Sequence, residues 1–141
     1  MTMLQACLNG NRPRSDHPAV PITPQELAED ARRALAAGAR ELHVHPRGPD
    51  GGDTVEPGPV ADTVRAIRAA CPGTPLGLTT GLWTTGGDAE RRLALVAAWD
   101  ELPDYRRQTW PSRASRSYAS CSPPAESASR PESGRARAPS A

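Results

Sequence analysis

From Met3 to Tyr105 the chain alternates short apolar runs with longer stretches in which apolar residues recur every three or four positions. Met3 to Leu8 (MLQACL) is a short run of the kind that forms a buried strand. Thr23-Pro24-Gln25-Glu26 is a capping box with proline at the first helical position. Leu27, Ala28, Ala31, Ala34 and Leu35 then mark one helical face, and Gly38 is placed to end it. Glu41 to His45 (ELHVH) alternates as a strand. A glycine- and proline-rich loop, Pro46 to Gly58, leads into a second helical face of Val60, Val64, Ile67 and Ala70. Pro75 to Thr80 (PLGLTT) reads as a third strand. Asp88 can cap a third helix that presents Leu93, Val96, Ala97 and, beyond it, Leu102. The order β-α-β-α-β-α predicts an α/β fold with parallel strands and right-handed crossovers. Three such units can open a doubly wound sheet or a (β/α)8 barrel. A closed barrel takes ~250 residues, and this chain has 141.

Composition divides the chain at Tyr105. Residues 106–141 contain no Leu, Ile, Val or Met, but nine Ser, seven Arg, seven Ala and five Pro. Such a segment cannot bury enough apolar surface to offset its ordering entropy, so it is expected to be disordered. Charge divides the same way: residues 1–105 carry net −4 and the tail net +5, within an overall +1. The expected organisation is a domain over 1–105 and a tail over 106–141. No apolar run is long enough for a membrane span, and the first ten residues lack the pattern of a secretory signal. Cys7, Cys71 and Cys121 are scattered and odd in number, which points to a reducing, cytoplasmic setting rather than a disulfide framework. A different function class attaches to the tail. Its seven arginines can engage phosphates and Trp110 or Tyr118 can stack on bases, as in a small nucleic-acid-binding protein. The arginines are dispersed, however, and no recognition motif accompanies them.

The sharpest chemical feature is His43-Val44-His45. Alternate residues of a strand share a face, so both imidazoles point one way. They stand at the carboxyl end of their strand, where parallel α/β folds gather active sites. Two neutral imidazoles suit Zn²⁺, which takes at least one more protein ligand in a catalytic site. Two histidines simply packed at a strand end would give the same pattern. Arg47 follows closely and can hold a carboxylate. Thr79-Thr80-Gly81 ends the third strand, and Asn9-Gly10-Asn11-Arg12 ends the first. Each is also an ordinary strand-to-loop turn, but polar candidates at three successive strand ends point to one shared rim. His17, Glu26, Glu29 and Glu90 read as solvated.

Taken together, the stretches LNGNRPRSDHPAVPITPQELAEDARRALAAGARELHVHPRGPDG, IRAAC and PLGLTTG resemble the β-keto acid cleavage enzymes, over about residues 4 to 105. The resemblance implies the first three βα units of a TIM barrel. It implies Zn²⁺ bound by His43 and His45, and Thr80, Arg47 and Asn9 near the substrate. The implied reaction converts a β-keto acid and acetyl-CoA to an acyl-CoA and acetoacetate, in an enzyme of homo-oligomeric type. Arg12 stands where the family pattern can carry a glutamate, and Gly48 where an acid commonly follows the arginine. The family's third zinc ligand, a glutamate from a late strand, has no counterpart.

The tail also has a second reading through the genetic code. The chain has no lysine and no phenylalanine, as a GC-rich gene would give. When GC-rich codons are read one base earlier, residues 109–125 spell NLAEPG and EPVVRELLAAG, a strand-and-helix continuation of the same pattern. The expectation is a one-base insertion or deletion near codons 105–106, and a catalytically inactive product.

Overall fold

Two of the three predicted helices begin on a side chain that caps their free N–H groups, and the third begins on proline. The structure, a computed structural model, describes residues 3–107. The expected disorder of the tail, from residue 108 onward, lies outside them. Helix α1 (Pro24–Ala36) starts on Thr23, whose hydroxyl accepts from Glu26 N–H, while the Glu26 carboxylate accepts from Thr23 N–H. At its other end Gly38 N–H donates to Leu35 O and Ala39 N–H to Ala34 O. This wrap needs Gly38 at φ +107°, a conformation that side chains resist. Helix α2 (Pro57–Ala70) starts on proline, and α3 (Ala89–Ala97) on Asp88, whose carboxylate accepts from Arg91 N–H. No helix among the described residues is long and apolar enough to cross a membrane.

The strands are β1 (Gln5–Cys7), β2 (Glu41–Val44), β3 (Leu76–Thr79) and β4 (Tyr105–Arg107), with a 3-10 turn at Leu82–Thr85 after β3. They form one parallel sheet in the order β1-β2-β3-β4. Sequential order without reversal, with right-handed crossovers, puts the helices on one side of the sheet. Doubly wound sheets reverse direction, so this wall is compatible with part of a barrel instead. Leu42, Val44, Leu76 and Leu78 meet Leu27, Ala31, Val60, Val64 and Ile67 in a single buried core. Each fully buried Leu, Ile or Val side chain contributes about 1.5–3 kcal/mol when removed from water. Trp99 closes one end of this core, donating from Nε1 to Val55 O at 2.9 Å.

Two expectations need correction. Arg106 and Arg107 belong to β4, so the ordered body runs past the boundary at 105. The buried face of α3 is also rotated from its expected position. Arg92 is buried, Leu95 and Val96 pack on the core, and Leu93 and Leu102 stay exposed.

On the opposite side of the sheet, register aligns Cys7, His43, Gly77 and Tyr105. The Tyr105 ring lies over Gly77, in the space a Cβ would take. Its hydroxyl donates to Leu42 O at 3.0 Å and accepts from Gln5 Nε2 at 2.6 Å. Gln5 also bonds Glu41 and Arg107. This face is therefore polar, and it leads to the strand ends.

Candidate functional site

The carboxyl ends of β1, β2 and β3 lie along one edge of the parallel sheet. Asn9, just beyond β1, takes both backbone groups of His45: its Oδ1 accepts from His45 N–H at 3.0 Å and its Nδ2 donates to His45 O at 2.8 Å. Nδ2 also reaches Pro21 O at 3.3 Å. A side chain thus extends the β1–β2 pairing by one step and fixes where His45 stands.

His43 and His45 sit side by side, with ring centroids 5.3 Å apart and planes at 87°. His43 is buried, and its Nδ1 has no hydrogen-bond partner. Burial, then the charges of His45 and Arg107, push its pKa down to about 4. The ring is therefore neutral near pH 7, the form that binds metals.

Behind His45 the loop folds back on itself. Thr54 N–H donates to Pro46 O, Gly48 N–H to Gly52 O, and Arg47 pairs with Asp53 as an antiparallel bridge. The Asp53 carboxylate lies 2.8 Å from His45 Nδ1 and accepts from Trp83 Nε1 at 3.0 Å. Its other oxygen is 3.1 Å from Arg47 Nη1, an ion pair that lies off the hydrogen-bond axis. Burial raises the Asp53 pKa, but the bonds from His45 and Trp83 and the charges of His45 and Arg47 outweigh it, holding the carboxyl below its usual range.

Arg47 is buried, and its guanidinium donates to Gly10 O at 2.7 Å, Arg12 O at 2.8 Å and Gly51 O at 3.2 Å. Only its Nε lacks an acceptor among the described residues. Thr80 is also buried, with N–H and hydroxyl both directed at Arg107 O, the hydroxyl at a loose 3.4 Å. Buried Arg92 donates to Thr80 O at 3.1 Å. Asn9, Arg47 and Thr80 all reach the rim, and much of their polar capacity holds the rim together. His17 is exposed, as expected, and accepts from Ala19 N–H. Sequence reasoning missed Asp53 and Trp83. An acid in a glycine-rich loop just after paired histidines was the available signal for the first.

In kind, the donors match zinc: a neutral imidazole with an orphaned nitrogen, and a second imidazole backed by a carboxylate. In number they fall short. No group of three His, Cys, Asp or Glu side chains among the described residues can hold a metal ion, and a catalytic zinc takes three protein ligands.

Fold and rim together define an α/β domain that assembles its polar chemistry at the carboxyl ends of parallel strands. The family model of the beta-keto acid cleavage enzymes matches residues 2–117. The chain belongs to that family, and the match runs past the expected boundary at 105. The 3-oxoadipate:acetyl-CoA acetyltransferase of Cupriavidus necator is 36% identical over 80 residues, covering 56% of this chain and 28% of the relative. The 3-keto-5-aminohexanoate cleavage enzyme of Fusobacterium nucleatum is 34% identical over 90 residues, covering 63% and 33%. That of Acetoanaerobium sticklandii is 33% identical over 101 residues, covering 71% and 37%. The chain thus spans about a third of the length of these relatives.

Proposed function

We propose that this chain carries the β2 portion of a zinc site that serves acyl exchange between a β-keto acid and acetyl-CoA. In that exchange the C2–C3 bond of the keto acid breaks. Its acyl part becomes the new acyl-CoA, and the acetyl group joins the released two-carbon carboxylate to give acetoacetate. The observation that carries the reading is the histidine pair, neutral at His43 and braced at His45, in a chain of the beta-keto acid cleavage enzyme family. His43 and His45 would hold the metal. Zinc, when bound, supplies a Lewis acid that polarises the keto oxygen and steadies enolate-like charge.

The other residues have supporting parts. Thr80 offers a hydroxyl whose 3.4 Å bond to Arg107 O is weak enough for a substrate oxygen to replace. Arg47 and Asn9 border the substrate side of the rim and hold His45 and the first loop in place. Two imidazoles alone bind zinc weakly, so the chain by itself is expected to be inactive. A one-base shift in the gene near the start of the tail accounts for its composition. Full-length assembly is expected to be homo-oligomeric.

Calorimetric titration of the full chain with zinc chloride tests the site. Weak binding that disappears in both His43→Ala and His45→Ala is expected; binding that survives both substitutions would refute it. Incubation with acetyl-CoA and 3-oxoadipate or 3-keto-5-aminohexanoate, followed by mass spectrometry of acyl-CoA products, tests the reaction. Turnover by the chain alone would overturn the need for a further ligand. Resequencing the gene through the junction decides the frame. A neighbouring frame that continues the barrel and supplies a third zinc ligand is expected downstream of the junction, and DNA that runs through it in a single uninterrupted frame over the relatives' length would end the frameshift reading.

A further inference from the structure

We propose that Asp53 is a positioning residue that holds His45 in the tautomer protonated on Nδ1, leaving Nε2 as the lone pair offered to a metal ion. The inference rests on the reading that His43 and His45 hold zinc. The logic comes from what surrounds the carboxylate. The Asp53 side chain is 3% exposed, and its neighbours are His45 Nδ1 at 2.8 Å, Trp83 Nε1 at 3.0 Å and Arg47 Nη1 at 3.1 Å. An indole N–H and a guanidinium can only donate, and an ionised carboxylate can only accept. A 2.8 Å contact between such a carboxylate and an imidazole nitrogen is attractive only if that nitrogen carries the proton. The lone pair of a neutral His45 is then on Nε2.

The rest of the ring's environment serves the same end. His45 lies between two rings: Trp83 at 6.3 Å and 24°, nearly parallel, and His43 at 5.3 Å and edge-on. Its backbone is gripped by Asn9. Rotation about the side-chain bonds would break the Asp53 contact. Asp53 also ties the loop after β2 to the turn after β3 through Trp83, so the orientation of His45 depends on both βα units. Charge neutralisation of Arg47 would explain a buried acid here, but would not select a nitrogen on His45.

The test begins with metal-free full-length protein. Long-range ¹H–¹⁵N correlation at mildly alkaline pH, assigned with His17, His43 and His45 substitutions, reads the tautomer of each ring. The expected result is Nδ1–H for His45, with a shift toward Nε2–H in Asp53→Ala. His45 found as Nε2–H in the unsubstituted chain overturns the proposal, and so does a folded Asp53→Ala whose His45 tautomer is unchanged. The measurement on the unsubstituted chain needs no variant, so it decides even where Asp53→Ala fails to fold. Titration with zinc chloride then reads the consequence: Asp53→Ala should weaken binding about tenfold or more, with Asp53→Glu recovering part of the loss. If His45 shows the expected tautomer and its response to Asp53, yet the unsubstituted chain takes up no zinc, the positioning stands and the zinc reading fails.

Discussion

Replacing Gly77 with alanine should loosen β4 from the sheet, and the size of the effect can be worked from the contacts. The Tyr105 ring occupies the space above Gly77, so a new Cβ would fall among Cδ2, Cε2 and Cζ of the ring. Gly77 has no positive φ, and the backbone itself accepts alanine. The ring must therefore move, and its hydroxyl bonds to Leu42 O and Gln5 Nε2 go with it. Overpacking costs about 1–3 kcal/mol and each of the two lost hydrogen bonds about 1 kcal/mol, so Gly77→Ala should destabilise by about 3–5 kcal/mol. With Tyr105→Ala already in place there is no ring to displace. Alanine should then stabilise by about 0.5–1 kcal/mol, through reduced freedom of the unfolded chain. The four proteins of this cycle can be compared by urea unfolding followed by far-UV circular dichroism. Equal losses from Gly77→Ala in both backgrounds would refute the idea that Tyr105 is what the glycine accommodates.

Glu26 should shape the acid limb of stability. Bonds from Ile22 and Thr23 N–H, then from Arg14, lower its pKa from the ordinary 4.5 to about 2. Its contribution is therefore complete above pH 4.5 and disappears as pH falls toward 2. Glu26→Gln should flatten the decline of the urea midpoint across that window, and parallel profiles would count against the assignment. In the same unfolding assay Gly38→Ala, at φ +107°, should cost about 1 kcal/mol. In the core, Ile67→Val should cost about 0.5–1.5 kcal/mol and Ile67→Ala about 2–5, since Ile67 is fully buried against the sheet.

What could be read from the chain is what local chemistry determines. The Thr23–Glu26 box and the Gly38 stop placed α1, and strict alternation in ELHVH put His43 and His45 on one face. β4 escaped notice because Tyr105-Arg106-Arg107 is short and polar. Its place comes from distant partners instead: the Gly77 hollow, and Asp104, whose carboxylate accepts from Leu76 N–H at 2.7 Å. For α3, periodicity identified a helix but misjudged its rotation, because Trp99 and the Arg92–Thr80 bond set which side turns inward. In the site, the histidines were legible because two positions on a strand suffice to define a face. Asp53 and Trp83 were not, because a folded-back loop and a turn from a different strand bring them to His45.

Asn9 is followed by Gly10, the pairing in which a backbone nitrogen most readily attacks the preceding side-chain amide, closing a cyclic imide with loss of ammonia. While the amide is held by His45 and Pro21, its carbon cannot turn toward the Gly10 nitrogen. Each opening of the β1–β2 end exposes it. Water then opens the imide to aspartate or isoaspartate, whose carboxylate would face the carbonyls of His45 and Pro21, so the grip could not close again. The strand end that presents the histidine pair is thus a slow chemical clock, and the fraction of deamidated Asn9 in an aged sample records how often that end has opened.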